Sequence, residues 1–139
     1  MRCSRGAGIP GSLAAVAIAV VLAGCGGSSK PSYCSQTANL KKSVQDLGNV
    51  NVIQGGTSAL TSALSTVESN AQAVVSSAKS DFPSQTAAIN SSVKALKQSA
   101  QQLSSSPTQP AVIAKLPGQI SAVVTSVQNF SSATSSKCK

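Results

Sequence analysis

The sequence predicts an all-α fold, an up-and-down four-helix bundle. Two observations carry this reading. Apolar residues recur at alternating steps of three and four along four long segments, the spacing of helices that bury one stripe. Short runs of Gly, Pro, Asn and Ser separate those segments, so sequential helices are antiparallel neighbours.

The first helix is expected from about Cys34 to Leu47, with Thr37, Leu40, Val44 and Leu47 on one face and Gly48-Asn49 as its stop. In residues 50–56, Val50 and Val52 alternate with Asn51 before the pair Gly55-Gly56. That pattern predicts an extended connection with partly buried valines. Thr57 is the expected N-cap of a second helix reaching about Ser80. Its seam is Leu60, Leu64, Val67, Ala71, Val74 and Ala78, a strict heptad. Asp81-Phe82-Pro83 ends it, because a residue before Pro is pushed out of helical geometry. Asp81 is the expected cap of the third helix, with Pro83 in its first turn.

The third helix is expected from about Ser84 to Leu103, with Ile89, Val93, Leu96, Ala100 and Leu103 inside. Ser104 to Pro110 reads as a polar linker. The fourth helix is expected from about Ala111 to Ser135, burying Ile113, Leu116, Ile120, Val123, Val127 and Phe130. Pro117 lies within it, which predicts a kink or a short break. Val75, Val112 and Val124 widen the apolar stripes, as suits a globular bundle with helices crossing at about +20°. Aromatic content is only 2% with no Trp, so the core is expected from Ala, Val, Leu and Ile.

Ahead of this domain the chain changes character. Arg2 and Arg5 precede an uncharged apolar run, Leu13 to Leu22, followed by Ala23, Gly24 and Cys25. This is the layout of a secretory signal peptide. The run is shorter than the ~18–20 residues that span a bilayer. Leu22-Ala23-Gly24-Cys25 resembles a bacterial lipobox. The resemblance implies cleavage before Cys25 and a thioether-linked diacylglycerol on its sulfur. The alternative is an ordinary secreted protein cut near Ala23 with a free Cys25. The lipobox reading gives residues 1–24 as signal peptide, 25–33 as lipidated tether and 34–138 as bundle domain. It places the protein on the extracytoplasmic face of the cell membrane, held by two or three acyl chains.

On that reading Cys3 leaves with the signal peptide and Cys25 carries lipid. Cys34 and Cys138 remain, an even pair in an oxidising compartment, so a disulfide between them is expected. It closes the bundle and supports the helix count. In an up-and-down bundle the first helix starts at the end where the last one finishes only if the number of helices is even. The anchor, Tyr33, the disulfide and the Asp81–Pro83 turn then share one end. Residues 49–56 and 104–110 share the other.

From Cys25 onward the chain carries nine Lys and three acids, a formal +6. The lysines are scattered, no Arg follows Cys25 and few aromatics could stack on bases, so nucleic acid is not an expected partner. No catalytic constellation is legible. The chain has no His, which removes the ordinary Ser-His and Cys-His pairs and the commonest zinc ligand. Asp46 and Glu68 fall beside the apolar stripes where solvated side chains are common. No enzyme activity, cofactor or metal is expected. Gly55 to Ser58 could hold an anion on a helix N-terminus; a plain helix start explains it better.

The chain as a whole is similar to small Ala/Ser-rich lipoproteins of high-GC Gram-positive bacteria, a resemblance that implies location and carries over no functional residue. The expected function is an interaction or structural module of the cell envelope. The alternative is a carrier of an apolar ligand such as a lipid, held between the helices. Val50, Val52 and Ile53, apolar residues in a glycine-bounded connection, are the candidate binding residues; capping the core is the competing role.

Overall fold

The computed structural model describes residues 30–139. The expected lipobox, Cys25 and the expected signal segment lie outside the described residues, as do the side chains of Val52 and Ile53. Four helices follow in chain order: α1 (Ser32–Gly48), α2 (Val52–Ala78), α3 (Pro83–Ser105) and α4 (Pro110–Thr134). Each helix packs on its chain neighbours, and α4 closes the ring against α1. Among the described residues no backbone approach joins the diagonal pairs. This is the up-and-down four-helix bundle expected from the heptads.

The core is the set of seams. Every predicted seam position of α1, α2 and α3 is buried. So are Leu116, Val123, Val127 and Phe130 on α4, together with Val112. The hydroxyls that fall on buried faces bond back into their own helices: Thr37 Oγ1 donates to Tyr33 O, Ser43 Oγ to Leu40 O and Thr134 Oγ1 to Phe130 O. That satisfies each polar group locally and lets Thr and Ser stand in for aliphatic residues.

Proline sets three of the four helix starts. Pro31 precedes α1, and Pro83 and Pro110 occupy the first turns of α3 and α4, where a missing N–H costs nothing. Asp81 is not the cap expected of it. Phe82 holds the N-cap position of α3 and no side chain bonds there, while Asp81 sits in the turn with its N–H on Ala78 O. Pro117 neither breaks α4 nor divides it; the helix runs on to Thr134. Helix α1 also begins two residues ahead of Cys34 and takes Tyr33, expected in the tether, into the core at 2% exposure.

The connection between α1 and α2 departs furthest from expectation. Residues 52–55 form a helical turn, not an extended segment, and Asn51 Oδ1 accepts the Gln54 N–H at 3.3 Å. Gly56, at φ +67° and ψ −173°, then breaks the helix before α2 resumes at Thr57, which is therefore already inside the helix instead of capping it. That φ/ψ region is essentially restricted to glycine. Gly55 is required for a different reason: a Cβ there would sit 2.9 Å from Ala59 Cβ.

Helix α4 is long and apolar enough by length and composition to cross a membrane. In the bundle it lies against α1 and α3, with Lys115, Gln128 and Asn129 on its solvent side, as a core helix does. Among the described residues, the core, the helix contacts and the disulfide described below join all four helices into one closed bundle, so residues 30–139 have a core and a crosslink of their own with which to fold.

Candidate functional site

The two ends of the bundle are built differently. At one end Cys34 and Cys138, 104 positions apart in sequence, form a disulfide with their Cα atoms 5.6 Å apart. Beside it the three aromatic residues of the chain meet. Tyr33 and Phe82 have ring centroids 5.7 Å apart, Phe82 and Phe130 5.7 Å, and Tyr33 and Phe130 6.2 Å, all edge-to-face. Such pairs add about 0.5–1.5 kcal/mol each beyond the burial of the rings. An aliphatic core was expected; here the scarce aromatics are concentrated in one cluster that ties the start of α1, the α2–α3 turn and the end of α4. The Tyr33 hydroxyl is buried there with no hydrogen-bond partner among the described residues.

The opposite end contains a notch, and its origin is helix length. Helix α1 has 17 residues against 27, 23 and 25 for α2, α3 and α4. At the clamped end α1 and α3 start and α2 and α4 finish near one level, because Cys34 is bonded to Cys138 and Tyr33 touches Phe82 and Phe130. At a rise of 1.5 Å per residue, α1 stops roughly 8–12 Å short of α3, α4 and the run of α2 that resumes at Thr57. The first turns of α4 therefore have no α1 beside them. Leu47, Gly48, Val50, Leu60, Ile113, Leu116, Pro117 and Ile120 line the resulting groove.

This explains why Ile113 is exposed (46%) although its heptad phase is correct: the helix that should cover it has ended. Ile120, one of the expected core residues, is only partly buried and lines the same groove. Val50, a candidate binding residue from the sequence, is half-buried against the core and lines the groove. It both caps the core and borders the groove, so the two roles weighed for it are not exclusive. The groove is open and apolar, and among the described residues no carboxylate or nucleophilic group lines it. Its chemistry suits contact with an apolar group and offers no acid, base or nucleophile for a reaction.

A second, polar groove runs between α2 and α3, lined by Gln72, Asn90, Lys94, Gln98 and Gln101 beside the pair Glu68–Lys97. Lys97 Nζ donates to Glu68 Oε1 at 2.6 Å. Glu68 was expected as a solvated side chain; it is instead half-buried across the helix interface. The signal was present: Glu68 and Lys97 each follow a seam residue, Val67 and Leu96, and such flanking positions meet across antiparallel neighbours. Both side chains retain substantial exposure, so the pair contributes under about 1 kcal/mol. Asp46 pairs with Lys42 one turn back on α1, and both are exposed. Asp81 lies at the clamped end. The three acids thus lie on separate elements, and among the described residues no group of three or more His, Cys, Asp or Glu side chains could hold a metal ion.

Comparison with family models, curated proteins and solved structures returned no match for this chain.

Proposed function

We propose that this protein is a lipid-anchored, extracytoplasmic interaction module of the cell envelope, acylated at Cys25 and presenting the notch away from the membrane. The observation that carries the reading is the opposition of the two ends. The lipobox lies just ahead of α1, so the anchor leads into the clamped end, and the apolar groove bordered by Val50 and Ile113 lies at the other. The tether ahead of α1 is Gly/Ser-rich and short, on the order of 15 Å in mean span. It holds the clamped end near the bilayer and leaves the notch as the accessible face. The partner is a protein offering an apolar side chain or helix end to the notch. No catalytic role is proposed.

The test has two arms. Mass spectrometry of the membrane-bound protein is expected to give Cys25 as first residue, carrying acyl chains; an N-terminus upstream of Cys25 or a free Cys25 thiol defeats the anchor. A photo-crosslinking residue at position 113 is expected to give one defined protein adduct in intact cells, while the same residue at 132, on the exposed part of α4 near the disulfide, gives none. Equal labelling at both positions defeats the notch as the binding face.

The apolar lining of the notch also supports a second reading, an apolar-ligand carrier. The openness of the groove favours a protein partner over an enclosed lipid. Stoichiometric lipid extracted from the domain expressed without Cys25 would reverse that order.

A further inference from the structure

The charges of the bundle are distributed unevenly along its axis. Lys30 lies four residues before Cys34, and Lys137 and Lys139 flank Cys138, so the disulfide places all three at the clamped end. The Tyr33–Phe82 contact brings the α2–α3 turn to the same end, and with it Lys79 and Asp81. All four lysines and Asp81 are exposed, and none of them forms an ion pair among the described residues. The clamped end thus carries four lysines against one acid, a formal +3; a free α-carboxylate at Lys139 would make it +2. The middle of the bundle holds four lysines against two acids, but Lys42 and Lys97 are paired with Asp46 and Glu68, which leaves Lys41 and Lys94 apart on separate helices. At the notch end the connections 49–56 and 104–110 hold no charged residue, and Lys115 is the nearest cation.

We infer that the clamped end is a docking face for an anionic lipid surface. The occupant is argued from charge complementarity: mobile lysines without acid partners, gathered on one end of a rod, match a plane of negative headgroups better than any single anion. Screening makes the face selective. The Debye length is about 10 Å at 0.1 M salt, while the unbroken run of α2 from Thr57 to Ala78 is roughly 33 Å long, so Lys115 lies outside the field of a membrane touched by the clamped end. Each lysine near an anionic surface raises partitioning about fivefold, so a net charge of two or three gives about a 25- to 100-fold preference over a neutral surface. For an acylated chain this adds little to retention. Its effect is on posture: the bundle stands on its basic end with the notch outward. The posture rests on the lipid-anchor reading above; the basic face does not.

The experiment therefore uses the chain from Gly26 to Lys139, which has no acyl group, and the readout is co-sedimentation with vesicles. One vesicle is phosphatidylcholine alone, the other contains one third phosphatidylglycerol, both at 0.1 M salt. The expected result is binding to the anionic vesicles that is lost at 1 M salt. Exchanging Lys30, Lys79, Lys137 and Lys139 for Gln, four factors of about five, should lower it by at least about two orders of magnitude. Exchanging Lys41, Lys42, Lys94 and Lys115 for Gln removes the same charge elsewhere and should lower it less than threefold. Equal losses in the two variants would mean that only overall charge matters and would overturn the inference. So would equal binding to neutral vesicles, or no binding to the anionic ones. All eight lysines carry exposed side chains, so a circular dichroism melt serves as the folding control. Failure here leaves acylation of Cys25 untouched, and failure of acylation leaves this face untouched.

Discussion

The two ends of this bundle come from one heptad pattern and differ almost completely. The clamped end has three edge-to-face aromatic rings, a covalent bond between first and last helix, and lysines on its rim. At the notch end, the described residues lining the groove are aliphatic side chains with Gly48 and Pro117, one helix stops early and a connection turns at Gly56. Heptads decide which face of each helix is buried. They do not decide whether a partner helix is present at that level. Helix length and crosslinks do that, and here they make one end closed and the other open.

The largest expected effect comes from the crosslink. Replacing Cys34 and Cys138 together by Ser should destabilise the domain by roughly 4–5 kcal/mol on the chain-entropy model for a loop of about a hundred residues. Thermal unfolding of the two forms measures it; a loss under about 1 kcal/mol would mean that the clamped end does not depend on its bond. Phe130→Ala removes a fully buried ring from the aromatic cluster and should cost about 3–5 kcal/mol by denaturant titration. At the open end, Gly56→Ala should cost about 1–3 kcal/mol, because alanine cannot hold a φ of +67° without strain. The smallest effect is expected at the notch itself. Ile113→Ser should change stability by under about 0.5 kcal/mol, since no helix covers that side chain. A loss there as large as that of Phe130→Ala would erase the difference between the ends.

The seams were legible because a 3.5-residue period leaves few alternatives once breakers divide the chain. Leu60 to Ala78 and Ile89 to Leu103 are buried throughout as expected. The disulfide was legible because Cys34 and Cys138 are the pair left once Cys3 and Cys25 are assigned elsewhere, and its joining the start of α1 to the end of α4 supported an even helix count. The aromatic cluster was not, because Tyr33, Phe82 and Phe130 lie about fifty residues apart on three elements and Phe82 sits in a turn with no periodicity. The exposure of Ile113 was hidden for a related reason. Its phase is local, but its missing cover is set by where α1 ends. Asp81 has the side chain of a cap, yet the chain enters α3 through Phe82 and Pro83 and leaves it one position too early. The turn at 52–55 was masked by alternating valines, a pattern too short to separate a strand from a single helical turn.

The contrast between the ends is tested most directly by amide hydrogen exchange of the oxidised domain, residue by residue. Amides near the clamp, such as those of Leu40, Val127 and Thr134, should exchange only through global unfolding and report one common, maximal free energy. Those bordering the notch, such as Leu60, Lys115 and Leu116, should exchange through smaller local openings and be measurably less protected. Equal protection at the two ends, or stronger protection around the notch, would contradict the account.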